Sequence, residues 1–288
     1  MLVPNLPKPK TPYEYPEHLR EQVLAAPRAP GVYLFFAEDG DLPLYIGKSV
    51  DIRARLLSHL RTQEEAHLLR QTRRIEYRLT AGEIGALLLE SKLIKELQPL
   101  TNKRLRRKKR LCSIRLQGLT PELVDTTWEN TGQLYGLFKS RKAAKEALLE
   151  LADQERLCHT LLGLEHPSGR ACFRAQIGKC AGACCGKETR EAHHQRLQAS
   201  LAQWQVYRWP FAGAIALYES CSTLQEYHVI NQWHYLGTYS TEEAARQASS
   251  SAPQPFDADS YKILVRPIIF GLCNIIDFST NALTAQFP

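Results

Sequence analysis

The spacing of apolar residues changes along this chain, and each change predicts an element. After the break at Ala29-Pro30-Gly31, Val32-Tyr33-Leu34-Phe35-Phe36 has the β-branched and aromatic content of a strand. Residues 37–41 are turn chemistry, and 42–46 read as the returning strand of a hairpin. Beyond Asp51, a fitting N-cap, Ile52, Leu56, Leu57 and Leu60 recur at helical spacing. A third strand is predicted over 74–79 and a second amphipathic helix over 81–97, ended by Pro99. A short helix is expected at 18–24.

Downstream, 111–157 hold a mixed segment followed by a helix over 140–156, and another helix is predicted over 187–203. Strand-like runs follow at 214–218, 227–230 and 262–269, with a helix near 242–248. The pattern is that of an α+β protein in four parts. These are an N-terminal arm over 1–25, a small sheet-and-helix domain over 26–110, a helical cysteine-rich module over 111–210 and a small α+β domain over 211–288.

Length agrees, since 288 residues suit two or three small domains better than one. With 44% hydrophobic residues the chain can bury real cores. No stretch approaches the ~20 consecutive apolar residues of a membrane helix, which excludes that class. Five prolines in the first sixteen residues and no apolar core there exclude a secretory signal. A cytoplasmic chain is expected, in which eight cysteines read as thiols or metal ligands rather than disulfides.

Charge adds a direction. Residues 1–110 hold 21 basic against 13 acidic side chains, and 111–288 hold 16 against 17, so the whole net charge of +7 comes from the first third. Within it, Lys103, Arg104, Arg106, Arg107, Lys108, Lys109 and Arg110 fill seven of eight consecutive positions. Such a run is either a solvated tail or a phosphate clamp. The absence of neutralising acids favours the clamp.

Gly31-Val32-Tyr33 and Tyr45-Ile46-Gly47-Lys48 fall on the two strands of the predicted hairpin. Arg55 and His59 are four apart and share a helix face with Ile52 and Leu56, which turns a cation and an imidazole toward the sheet. Leu87, Glu90, Ile94 and Leu97 put a lone carboxylate within an apolar stripe. A buried charge is costly unless paired or bound to a metal. Glu90 therefore reads as a salt-bridge partner of Arg55, a snorkelling rim residue or a functional carboxylate.

Taken together, Pro30-Gly31-Val32-Tyr33, Tyr45-Ile46-Gly47-Lys48-Ser49, Arg53, Arg55, Leu89-Glu90 and Asn102 resemble the GIY-YIG nucleases of the UvrC family, and most closely its single-nuclease Cho branch. The first triplet departs from the family's pattern in having Val32 for Ile, and His59 stands where UvrC-like proteins tend to carry Tyr. The resemblance implies a three-stranded antiparallel sheet with flanking helices and phosphodiester hydrolysis with one divalent metal. It implies that Glu90 holds Mg²⁺ or Mn²⁺, that Tyr33 or Tyr45, its pKa lowered by a cation such as Lys48, is the general base, and that Arg55 braces the transition state. His59 would belong to the same catalytic set, Asn102 would position backbone or phosphate, and Arg53 with the 103–110 run would contact DNA.

Cys158, Cys172, Cys180 and Cys184, with 13, 7 and 3 residues between them, could ligate either tetrahedral zinc or an iron–sulfur cube, and Cys185 could replace Cys184. The resemblance implies a [4Fe–4S] cluster at these four positions, with zinc as the alternative. Arg170, Arg174, Lys179 and Lys187 around them suggest a nucleic-acid-facing surface, and Cys112, Cys221 and Cys273 read as lone core thiols. The family further implies nucleotide excision repair within an SOS-type response to damaged double-stranded DNA. It implies incision on the 3′ side of the lesion and recruitment by UvrA/UvrB-type proteins, UvrB most directly. Neither the RNase H-like nuclease nor the helix-hairpin-helix motifs of UvrC are recognisable here, so one nuclease centre and one incision are expected. A non-catalytic, metal-stabilised nucleic-acid-binding module is the alternative reading.

Overall fold

β1 (Gly31–Phe36) is buried along its whole length because it is the middle strand of a three-stranded antiparallel sheet with both faces covered. It pairs with β2 (Tyr45–Ser49) on one side and β3 (Arg74–Leu79) on the other, Tyr33 facing Gly47 and Tyr77. The computed structural model describes residues 16–38, 40–102, 111–118, 120–126, 133–166, 171–251, 257–279 and 282–284, the last three for backbone only. Strand periodicity sorts the side chains. Tyr33 and Phe35 face α1 (Arg20–Ala25), α2 (Ile52–His59) and α3 (Ala66–Gln71) in a core with Leu19, Val23, Ile52, Leu56, Leu60 and Leu69. Val32, Leu34, Phe36 and Ile46 face Leu93 and Ile94 of α4 (Glu83–Leu97).

The returning strand begins at Tyr45, three residues later than the pattern predicts. Pro43 has no N–H to donate, so the ladder starts beyond it and Leu42 is left exposed. α2 opens on Asp51, whose side chain accepts from the Ala54 N–H at 2.8 Å.

The middle segment is not helical throughout, as the sequence reading expects. Its floor is a four-stranded sheet of order β5-β4-β6-β7, formed by β4 (Cys112–Gln117), β5 (Thr120–Asp125), β6 (Leu134–Phe138) and β7 (Gln205–Val206). Alternation of Cys112, Ile114 and Leu116 is the strand signal, and Pro121 lies on the edge strand, where proline is tolerated. α5 (Arg141–Gln154) and α7 (Arg190–Leu201), capped by Ser140 and Thr189, close a core with Ile114, Tyr135, Leu148, Leu151, Leu197 and Leu201. The short α6 (Phe173–Gln176) lies between them in the chain.

The C-terminal segment forms a five-stranded sheet, order β10-β9-β8-β11-β12. Its strands are β8 (Ile215–Ser220), β9 (Gln225–Asn231), β10 (His234–Tyr239), β11 (Asn274–Asp277) and β12 (Ala282–Thr284), with helices α8 (Glu242–Ala248) and α9 (Ala258–Ile269). α9 overturns the strand expected at 262–269. β-branched content suggests a strand there, but Tyr261, Leu264 and Ile268 are spaced 3 and 4 apart and are all buried, so helical periodicity wins. The described residues fall into two compact units. One holds those of 1–107, 211–254 and 259–288, the other those of 108–210 and 255–258.

Candidate active site

Pairing of β1 with β2 brings Tyr33 and Tyr45 to one face of the sheet, with ring centroids 6.1 Å apart. Gly47 makes this possible. A Cβ there would lie 2.4 Å from the Tyr33 hydroxyl and 2.8 Å from the Tyr45 ring, so the Tyr33 ring crosses the space a side chain would fill. The Tyr33 hydroxyl meets His59 Nε2 at 2.6 Å, and His59 Nδ1 meets the Glu65 carboxylate. A carboxylate on Nδ1 fixes the tautomer with hydrogen there, so Nε2 accepts from the Tyr33 O–H. Burial holds His59 below the ordinary imidazole range, against the pull of Glu65. The imidazole is therefore neutral, with Nε2 as its acceptor atom.

Both phenols lie above their ordinary range, contrary to the lowered value expected from Lys48. Burial is the main cause for each, followed by Tyr45 in the case of Tyr33 and by Glu90 in the case of Tyr45. Lys48 does not serve them because its ammonium pairs with Glu83 at 2.5 Å. The cation on the tyrosine side is Arg55, held above its ordinary value chiefly by the Tyr33 hydroxyl. Arg55 is itself exposed rather than turned into the core, as its helix position predicts, so its guanidinium stands between the phenol and solvent. Tyr33 is 1% exposed and Tyr45 half-buried, so only Tyr45 reaches toward solvent.

β2 is an edge strand, and its outward backbone groups are taken up by two side chains. Asn102 accepts from the Ile46 N–H at 2.9 Å and donates to the Ile46 carbonyl at 2.8 Å, completing the edge as another strand would. Glu90 Oε1 accepts from the Lys48 N–H at 3.1 Å. That bond, rather than an ion pair with Arg55, holds the carboxylate. Burial pushes Glu90 above the ordinary carboxylate range, with the Lys48 N–H and ammonium opposing. A half-buried carboxylate short of positive charge is a fitting seat for a hard divalent cation, and Mg²⁺ needs few protein ligands because it keeps most of its waters.

The second cluster lies in the other unit. The Sγ atoms of Cys158, Cys172, Cys180 and Cys184 all fall within 4.8 Å of one another. Cys185 is exposed and turns to the Gly182 carbonyl, so Cys184 is the fourth member. Three backbone N–H groups point at the sulfurs: Ala175 to Cys172 at 3.4 Å, Gly182 to Cys180 at 3.3 Å and Cys172 to Cys184 at 3.4 Å. Burial pushes the Cys172 thiol up to about 12. Thiols gathered this closely, with donors aimed at them, are arranged to be thiolates around a cation. His193 on α7 accepts from the Cys158 N–H at 2.9 Å. Arg174, expected to face nucleic acid, pairs instead with Asp153 and Glu165 around the buried His159.

Arg53, expected on DNA, gives its Nε–H to the Ala26 carbonyl at 2.6 Å and ties α2 to the preceding segment. Lys103, Arg104, Arg106, Arg107, Lys108, Lys109, Arg110 and Arg170 lie outside the described residues. Of the three cysteines read as core thiols, Cys112 is buried, Cys273 half-buried and Cys221 exposed. Glu65 is the site residue the sequence reading misses. It follows His59 by six residues, beyond the end of α2, and no helical spacing links the two.

Family models match three stretches: a UvrC-like GIY-YIG domain over 29–103, the UvrC/Cho excinuclease middle domain over 97–203 and the excinuclease Cho C-terminal domain over 214–281. The chain is 53% identical to an excinuclease cho of Salmonella typhi, covering 93% of each chain. It is 51% identical to one of Escherichia coli (strain K12), covering 90% of this chain and 89% of that one. A crystal structure of the GIY-YIG N-terminal endonuclease domain of UvrC from Thermotoga maritima, bound to magnesium, is 35% identical over 30% of this chain and 97% of its own, with a TM-score of 0.28.

Proposed function

This chain belongs to the Cho excinucleases of the UvrC family, an assignment that makes it an endonuclease of nucleotide excision repair, and from that premise we propose how its residues cut DNA. It hydrolyses one phosphodiester bond on the 3′ side of a lesion in double-stranded DNA, in the cytoplasm, after recruitment by UvrA/UvrB-type proteins and by UvrB most directly. Tyr45 is the general base, because it alone of the two phenols reaches toward solvent. As Tyr45 takes a proton from the attacking water, its own proton passes to the Tyr33 oxygen and that of Tyr33 to His59 Nε2. The imidazolium so formed is stabilised by Glu65. The water oxygen forms the new bond to phosphorus, the bond to the 3′ oxygen breaks with its electron pair on oxygen, and that alkoxide takes a proton from solvent water to leave as a hydroxyl. Arg55 places a permanent charge beside the phosphoryl oxygens.

Glu90 is the ligand for Mg²⁺ or Mn²⁺, which when bound supplies charge to the phosphoryl group and to the leaving oxygen. Lys48 and Glu83 hold the strand and helix that carry this site, and Asn102 positions β2. The 103–110 run carries phosphate contacts.

The four-cysteine site holds a structural metal centre, either the [4Fe–4S] cluster that the family resemblance implies or a zinc ion. Sulfurs around one tetrahedral zinc at about 2.3 Å sit roughly 3.8 Å apart. The observed convergence suits such an ion as it stands, and a cube spans more room. Iron, sulfide and zinc analysis of anaerobically purified protein decides between them. About four irons per chain and a brown colour support the cluster, and stoichiometric zinc refutes it.

The observation that carries the functional reading is the Tyr33–His59–Glu65 chain beside Tyr45, across the edge strand from Glu90. The test is nicking of a lesion-bearing duplex with UvrA/UvrB-type partners, with and without Mg²⁺. A single metal-dependent nick on the 3′ side supports the reading, whereas retained binding with no nick would make the chain a binding module.

A further inference from the structure

α4 carries Glu90, yet its own sequence supplies no cap. The preceding residue is Gly82, with no side chain to offer, and no side-chain cap bond forms there. The missing acceptors come from the C-terminal sheet. Glu219, near the end of β8, accepts from the Ile84 N–H at 3.0 Å through Oε1 and from the Gly85 N–H at 2.7 Å through Oε2. Glu226 on β9, its direct cross-strand partner, accepts from the Ala81 N–H at 2.9 Å. The buried His228 meets Glu219 at 3.0 Å through Nε2 and Thr238 at 2.7 Å through Nδ1, which fixes the carboxylate in place. The glycines fit this role, since a Cβ on Gly82 would lie 2.2 Å from Glu219 and one on Gly85 2.6 Å from Glu226.

Two carboxylates at the positive end of a helix, on otherwise orphaned amides, are a cap in all but sequence position. Because these oxygens already face amide donors, Glu219, Glu226 and His228 read as a cap rather than a cation site. A further contact holds the far end of the helix, where Lys95 pairs with Asp259 of α9 at 3.4 Å. Between these two points lie both links from α4 to Lys48, the Glu83 ion pair and the Glu90 hydrogen bond.

We propose that the C-terminal domain works as an external N-cap for the helix that carries the metal ligand, with Glu219 as a positioning residue for incision. This rests on the reading of Glu90 as the cation ligand. Without the cap the first turn of α4 frays, Glu83 and Glu90 lose their register on Lys48, and the cation seat loosens.

The test uses the full chain with its partners, in wild-type, Glu219→Ala, Glu219→Gln and Glu219→Ala/Gly82→Ser forms. Gly82 has extended backbone (φ −162°, ψ −167°) that serine adopts, so the double variant restores a cap from within the chain. Glu219→Ala should speed amide exchange at Ile84 and Gly85 by about 10-fold or more. It should raise the Mg²⁺ concentration for half-maximal nicking several-fold and leave DNA binding in EDTA unchanged. Glu219→Gln, which keeps one acceptor oxygen, should fall between, and Gly82→Ser in the alanine background should recover most of both effects. Faster exchange with an unaltered Mg²⁺ requirement would overturn the positioning role, and unaltered exchange would overturn the cap itself. Wild-type protein that does not nick with Mg²⁺ would instead refute the nuclease reading, with the exchange data still judging the cap.

Discussion

In the nuclease domain the chain itself supplies a partner for nearly every side chain of the site: His59 for Tyr33, Glu65 for His59, the Lys48 N–H for Glu90 and the Ile46 backbone for Asn102. In the cysteine site four thiols converge with, among the described residues, only three backbone N–H groups aimed at them. The first arrangement is complete enough to hold its shape with or without a cation. The second concentrates sulfurs that must ionise together, and only a bound metal compensates for that. Changes at the nuclease site should therefore alter rate and leave the fold, whereas changes at the cysteine site should alter the fold of its unit.

The largest effect is expected from Cys172→Ala. It should abolish metal binding, measured by elemental analysis, and render 141–204 open to limited proteolysis while the nuclease domain stays resistant. Protein that keeps its melting temperature and its protease resistance would break the contrast from the cysteine side. Next is Tyr45→Phe, which should slow nicking by about 10²–10⁴-fold, the usual contribution of a general base, with little change in melting temperature. An equal loss of stability would mean that Tyr45 is a packing residue.

A smaller effect, roughly 10- to 100-fold on nicking, is expected from Glu65→Gln. Because the folded-state pKa of His59 lies below the unfolded value, its contribution to stability is complete above about 6.5 and is lost as pH falls through the window below. Removing Glu65 takes away the group that raises that pKa. The acid limb of the nicking profile should move to lower pH, and melting at pH 5 should fall more than at pH 8. A profile that does not move would remove His59 from the proton path. The smallest effect is that of Asn102→Ala, which loses two hydrogen bonds to the β2 edge. It should cost about 1–2 kcal/mol in denaturant melts and slow nicking only several-fold. A loss as large as that of Tyr45→Phe would place Asn102 on the substrate.

Much of the nuclease domain is legible in the sequence because its signals are local. β3 and the cap at Asp51 follow from composition and spacing, and the tyrosine pairing follows once the hairpin is recognised. The cysteines are legible as a cluster, with spacing that favours Cys184 over Cys185, and the turn at Gly182 leads Cys185 to a backbone carbonyl instead. What stays hidden depends on distance along the chain. Glu65 reaches His59 only because a turn brings it back, and Glu219 reaches α4 across more than 130 residues. At 262–269 two local signals conflict, and burial of Tyr261, Leu264 and Ile268 decides in favour of helix.

The central claim is that Glu90 is held in place by the chain and acts through the cation it binds. Glu90→Gln keeps the shape of the side chain and removes its charge, so a melting curve beside a nicking time course, each with and without Mg²⁺, tests that claim directly. A half-buried carboxylate short of positive charge should be costly without metal, so the variant is expected to melt at or above the wild-type temperature, to bind DNA normally and to nick about 10²-fold slower or worse. A Glu90→Gln protein that melts early, as the loss of a buried ion pair would make it, yet nicks at the wild-type rate would contradict the account.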